Sequence, residues 1–303
     1  MSVAGILLRR DSFRPPAAAA IAVPLRKAPL SAYSHKFWIA PQRTPDYLWE
    51  ICRLSFESAA QKSLAADPKS PDLLLKLALA EISVWEDREA VVTLTRALAI
   101  SPQSASLYTE RGHREVPLRE FKRAIVDLTR AAALDPKNMA AYYHLGLAHY
   151  FLGEFSPAAD AFRHAVETAP NTDEIINSTN WLYAALRRAG RTAEAAKALD
   201  AVPPDMTNKE PHTKFYLNLV RFFQGRMSET EALPPAPPEG NTDQEVELPF
   251  DTVAYGIGNW HLYNGDAAKA QQYFHRVLRG HVWITWGFVG SETELLRQPK
   301  GVR

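Results

Sequence analysis

Residues 142–170 read YYHLGLAHYFLGEFSPAADAFRHAVETAP. Within them Gly146, Gly153, Ala158, Phe162 and Ala165 mark small and large apolar positions, and Pro170 closes the stretch. The same plan recurs along the chain. Pro68, Pro102, Pro136 and Pro170 follow one another at intervals of 34 residues. Small residues keep the phase at Ala90, Ala124 and Ala158, and again at Ala97, Ala131 and Ala165, with Leu94, Leu128 and Phe162 between them. Columns in register at one fixed period are the mark of a repeat array. Each unit is two helices. Its alanines let them approach to roughly 8–10 Å while the large apolar residue fills the space left. Proline ends the second helix because it has no N–H for the ladder and pushes the preceding residue out of the α region. One unit cannot bury its own apolar face, so neighbours must stack.

These residues resemble the tetratricopeptide repeat (TPR). The resemblance implies an all-α solenoid of TPR-type helical hairpins, a right-handed superhelix with a C-terminal capping helix. It covers an array over 45–298, with units near 46–70, 71–104, 105–138, 139–172, 176–209, 211–232 and 251–280, and a cap at 283–297. A Pro-rich acidic loop, 233–249, lies between the last two units. The strings Arg111-Gly112-His113-Arg114, Tyr143 to Tyr150 and Gly256 to Gly265 look like a group of bacterial TPR proteins. That likeness implies the fold and no particular activity.

Residues 1–44 read differently. Arg9, Arg10, Arg14, Arg26, Lys27 and Lys36 face one acid, Asp11, among prolines and alanines. The segment reads as a flexible leader or as an organelle-targeting one, although Pro15 and Pro16 break any long amphipathic helix. The remaining totals are ordinary: 46% hydrophobic, 23% charged and a formal net charge of +1. They give no global argument for nucleic acid or an acidic membrane surface. No apolar run reaches the roughly 18–20 residues of a membrane span. Cys52 stands alone, so no internal disulfide or Cys-based metal site is expected, and an intracellular, cytoplasmic setting suits the chain.

In TPR proteins the first helix of each unit lines a concave groove. Carried onto this chain, the resemblance places Thr109, His113, Tyr143, Tyr150, Asn177, Asn180, Arg187, Tyr255 and Asn259 there. That surface is aromatic and amide-rich with little charge, the composition of a binding cleft. It implies a binding module for a protein or peptide partner, or alternatively for a small molecule. The chaperone-type carboxylate clamp is not expected. Its cation and amide positions hold Leu75 and Leu79, Thr109 and His113, and Tyr143 and Leu147.

The eleventh position, normally a packing residue, reads Glu81, Glu115 and His149, with His261 in the last unit. Stacking should set the first three side by side, and Arg111 should pair with Glu115 one turn on. Such a ladder is either a closed structural network or a working site. The second alternative is a cofactor-free enzyme, with His113, Glu115, His149 and His261 as acid–base groups and Arg111 or Arg114 holding an anion. His144 and His149 diverge on their helix, so no metal pair is expected, and no phosphate loop, nucleophile elbow or dinucleotide pattern calls for a cofactor. Pro117 should stop or kink its helix near Glu115. Gly256 and Gly258, inside a helical stretch, point to close helix contact or to a ligand approaching the backbone. Trp283, Trp286 and Phe288 suit a capping helix or a self-assembly surface, so oligomers remain open.

Overall fold

A computed structural model describes residues 58–83, 85–238, 241 and 244–297. The leader at 1–44, the start of the first expected unit and the last six residues lie outside that set. Residues 58–66 are helical. Then come α1 (Pro71–Ser83), α2 (Asp87–Ile100), α3 (Ala105–Glu115), α4 (Phe121–Leu134), α5 (Met139–Leu152), α6 (Phe155–Glu167), α7 (Thr172–Arg188) and α8 (Thr192–Ala198). Next are α9 (Thr213–Phe223), α10 (Glu229–Ala232), α11 (Gln244–Tyr263), α12 (Ala267–Val277) and α13 (Trp286–Arg297). Consecutive helices pair as antiparallel hairpins, and the fold is the all-α TPR-type array.

Local chemistry sets the joints. Two residues after a repeat proline stands a capping residue: Ser70, Ser104 and Asn138 accept from the backbone N–H of Leu73, Leu107 and Ala141. Asn171 does the same for Glu174 one residue nearer its proline. Each cap satisfies one of the orphan donors at a helix start. Within the hairpins the turn residue has positive φ: Gly153 (93°), Gly190 (75°) and Gly265 (93°), but Trp85 (65°) and Arg119 (63°) in the first two. Only glycine takes that conformation without strain. Helix α3 ends at Glu115, where Pro117 is about to remove a donor.

The alanine columns and Leu94, Leu128 and Phe162 are fully buried. An added Cβ on Gly112 would stand 2.6 Å from Leu128, and one on Gly146 2.6 Å from the Phe162 ring. Gly256 and Gly258 face Leu219 and Tyr273 at 2.6 and 2.7 Å, so their role in the helix is close contact.

Two elements depart from the regular plan. Helix α11 begins at Gln244, inside the stretch read as a loop to residue 249, and carries Pro249 within it. Buried Glu247 anchors this extra segment by accepting from the backbone N–H groups of His281 and Val282 at 2.7 and 2.9 Å. Helix α13 does more than close the end. Gly287 and Gly290 lie against the Asp251 backbone and the Tyr255 ring of α11. Its Trp286 meets His113, His144 and Phe151 at 5.8, 6.0 and 6.3 Å between ring centres. Arg119, in its strained turn, donates to Glu292 at 2.7 Å and to the Trp283 carbonyl at 3.1 Å. The face of α3 and α5 expected to be open is thus covered by the chain's own last helix.

Gly146→Ala should destabilise the protein by about 1–3 kcal/mol, because the Phe162 ring it strikes has nowhere to go. A urea midpoint equal to wild type would show that the ring yields. Burial, helped by the nearby Glu247, pushes the Asp251 carboxyl up to about 8 from 3.8, while the Thr285 hydroxyl at 2.9 Å pulls the other way. A raised folded value means that this group's contribution is complete below about pH 4 and is lost as pH rises towards 8. Asp251→Asn should therefore flatten the decline in unfolding free energy between pH 5 and 8, measured by urea titration at several pH values.

Candidate functional site

Helices α7, α9, α11 and α13 line a shallow cleft that opens to solvent and has enclosed room for about one water molecule. Asn180 and Trp181 come from α7, Tyr216 from α9, Thr252, Tyr255 and Asn259 from α11, and Trp286 from α13. None of the lining residues is charged. Trp181 stacks on Phe162 of the preceding hairpin at 6.1 Å and leans on Tyr255 at 5.8 Å. The inner face of the array therefore continues into the wall of the cleft.

One side of the cleft is fully bonded. Asn259 donates to the Tyr150 hydroxyl at 2.6 Å and accepts from Arg188 at 3.2 Å. Arg188 in turn meets Glu294 of α13 at 2.7 Å, where the carboxylate is only 2% exposed, and Arg297 reaches the same carboxylate at 2.6 Å. Burial opposes the Arg188 charge, yet Tyr150 and Glu294 hold its guanidinium above its usual value. Burial also raises the Tyr150 phenol, and raises Tyr255 well above the ordinary range, so both remain protonated. Arg188 and Arg297 lie over the Phe155 ring at 4.3 and 5.5 Å.

The other side is less fully bonded. Asn180 Oδ1 is buried and makes no hydrogen bond. The Tyr150 hydroxyl lies beside Tyr255, and the Tyr143 and Tyr216 hydroxyls beside the Trp181 indole, each within hydrogen-bonding reach. Asn177 Oδ1, one turn back on α7, is also unmatched. Leaving such groups unmade costs about 1–3 kcal/mol each, which a native core avoids unless something else answers them.

Of the groove residues named from sequence, Asn180, Tyr255 and Asn259 line the cleft. Tyr150 supports Asn259 from behind with none of its surface exposed. Tyr143 is half-buried, edge-on to Phe162. Thr109 is occupied in a helix joint, donating to Ala105 and accepting from Asn138. His113 lies tilted against His144, 3.7 Å between ring centres, beside Trp286. Arg187 points elsewhere, onto Tyr183, Asn264 and the Tyr263 ring. Sequence reading passed over Trp181, Tyr216 and Thr252, and took Trp286 only as part of the cap. A signal was present for the first: the position that is Gly112 and Gly146 in earlier units becomes Asn180, beside Trp181.

The eleventh-position ladder takes a different form. Arg111 does not pair with Glu115; it forks onto Asp127 at 2.5 and 2.8 Å and reaches Thr95. Glu81 accepts from Thr93. Thr93 and Asp127 sit on the second helix of the same hairpin, twelve and sixteen residues on, whereas Thr95 belongs to α2 of the hairpin before. Burial pushes Glu115 up to about 7, with Asp127 adding to the rise and Arg111 opposing it. His149 meets Glu154 at 2.6 Å, and His261 meets Glu229 at 2.8 Å. Arg114 is buried against Asp87 at 3.4 Å. His113, His149 and His261 thus occupy three separate neighbourhoods and ring no common cavity. Among the described residues no group of three or more His, Cys, Asp or Glu is placed to hold a metal ion. None of the described helices is long and apolar enough to cross a membrane.

Residues 140–172 match the tetratricopeptide repeat family. Among solved structures, a crystal structure of MamA is similar at 28% identity over 48% of this chain and 83% of its own, with a TM-score of 0.44. A second MamA crystal structure gives 26% identity, 51% and 87% coverage and a TM-score of 0.45. YrrB, described as a TPR protein with an unusual peptide-binding site, gives 18% identity, 73% and 92% coverage and a TM-score of 0.45. No curated protein matches the chain. The chain thus carries a tetratricopeptide repeat at 140–172, and its other capped, alanine-packed hairpins follow the plan of that unit.

Glu294→Ala should cost about 3–5 kcal/mol, since it leaves Arg188 charged and buried without its carboxylate. Chemical denaturation followed by tryptophan fluorescence measures the loss. A change below 1 kcal/mol would mean that water replaces the carboxylate.

Proposed function

We propose that the chain is a protein-interaction module whose inner face receives a segment of a partner protein at the mouth of the α7–α9–α11–α13 cleft. The observation that carries this reading is the chemistry of the lining: aromatic faces and neutral amides with no charged group. An apolar body with a few polar groups suits recognition of peptide, whose backbone supplies donors and acceptors without charge. Half-buried Tyr143 and Tyr216 flank the Trp181 indole, with Asn177 one turn before it on α7. The same face already seats α13 through an indole and two arginines, so it is suited to hold a helix or an extended strand of chain.

The enzyme alternative draws less support. Its acid–base candidates are dispersed: His149 is engaged by Glu154, His261 by Glu229, and the anion holder Arg111 by Asp127. General acid–base work needs such groups within reach of one reacting centre.

Panning a random peptide library against the full chain tests the module. Enriched peptides should bind Asn177→Ala and Tyr143→Ala at least about tenfold more weakly, and Val126→Lys, on exposed α4 surface, as well as wild type. Peptides indifferent to the inner-face changes, or sensitive to Val126→Lys, would place recognition elsewhere and overturn the reading.

A further inference from the structure

The connection that follows α10 takes no part in the inner face. Residues 233–238 read Leu-Pro-Pro-Ala-Pro-Pro, without a charged group. Proline fixes its own φ near −65° and pushes the residue before it out of the α region. Leu233, Pro234, Ala236 and Pro237 are each followed by proline, so extended or polyproline II backbone is what the stretch can adopt. Leu233 opens it at φ −77° and ψ 117°, and residues 234–238 form neither helix nor strand. Polyproline II has three residues per turn, and exposure follows that period. Pro234 and Pro237 are half-buried, whereas Pro235, Ala236 and Pro238 are exposed. One edge leans on the protein, and the other carries the Pro235 and Pro238 rings, one turn apart, in solvent.

Both ends of the stretch are held. The Leu233 N–H donates to the Glu229 carbonyl at 3.1 Å, and the Pro238 carbonyl accepts from the Asn241 N–H at 3.1 Å. Helix α10 is itself pinned: the Glu229 carboxylate meets Tyr273 at 2.5 Å, His261 at 2.8 Å and Lys269 at 3.0 Å, and Ser228 and Glu231 close a capping box. Between the anchors, the carbonyls of residues 233–237 and the Ala236 N–H make no hydrogen bond among the described residues. We propose that this stretch is a displayed polyproline II ligand, read by a partner domain through an aromatic-lined groove. The Pro235 and Pro238 rings pack between aromatic side chains of the partner, and the free carbonyls accept from its indole N–H or phenol O–H groups. Because the stretch is already held in the conformation to be bound, little ordering is left to oppose the contact. This surface is separate from the inner face and does not rest on the peptide-receiving reading.

The Ala236 amide reports on the stretch directly, because the residues on either side of it are prolines and have no N–H. Its ¹H–¹⁵N resonance in the full chain, assigned with Ala236→Gly, is followed while an unlabelled WW domain, a module that reads polyproline II through aromatic side chains, is titrated in. The resonance should shift saturably, and should not respond to the same domain with its groove tryptophan replaced by alanine. Pro235→Ala combined with Pro238→Ala should weaken binding at least about tenfold, since both rings of the solvent edge are lost. The melting temperature of that variant should equal wild type, which separates a docking role from a structural one. Pro234→Ala or Pro237→Ala, on the leaning edge, should weaken binding only about 2- to 5-fold, through lost stiffness. A silent Ala236 amide, a response that persists with the altered domain, or an equal loss from both edges overturns the proposal and leaves the stretch a rigid spacer.

Discussion

The Glu294 carboxylate holds together parts of the chain that the repeat by itself leaves apart. It is nearly inaccessible to water and carries two arginines, Arg188 from the fourth hairpin and Arg297 from its own helix. Through Arg188 it fixes Asn259, through Asn259 the Tyr150 hydroxyl, and through Arg297 the carbonyl of Tyr150. A buried ion pair is weak evidence for stability, because desolvation offsets most of the attraction. Its value here is geometric. Four helices, α5, α7, α11 and α13, meet in one arrangement because any other strands a charge in the interior.

Arg119 shows the same demand from the other side. Where later hairpins turn on glycine, the second turns on an arginine at φ 63°, a conformation that strains any side chain with a Cβ. That arginine binds Glu292 and the Trp283 carbonyl, and its guanidinium lies over the Trp283 and Phe288 rings at 5.5 and 6.0 Å. A local rule is broken where a distant contact compensates. Pro117, two residues earlier, ends α3 and gives the chain the room to do it.

Between these anchors the inner face acquires a character unlike a reactive centre. Its phenols stay protonated, its Arg188 is paired with Glu294, and its histidines lie in separate places. The polar groups that line the cleft are neutral and directional: amides, hydroxyls and an indole. Chemistry of that kind discriminates by hydrogen-bond pattern, since a wrong occupant leaves buried donors and acceptors unmade.

The sequence by itself determined the hairpins, their stops, their caps and the alanine and large-apolar columns, because each depends on residues one turn or one repeat away, and helix periodicity fixes which of those meet. The second-helix ends follow from Pro102 and Pro136, and the buried Leu128 and Phe162 from the glycines facing them. Only the tertiary structure decided which acid Arg111 meets, that α11 begins inside the expected loop, and that α13 covers the face read as an open groove. Those outcomes join residues up to 173 positions apart. Their geometry accumulates from the length of every helix between, such as the 17 residues of α7 against the 14 of α5. No periodicity encodes that sum, so Tyr150 reads as a platform in the sequence and stands in the structure as a buried hydrogen-bond partner.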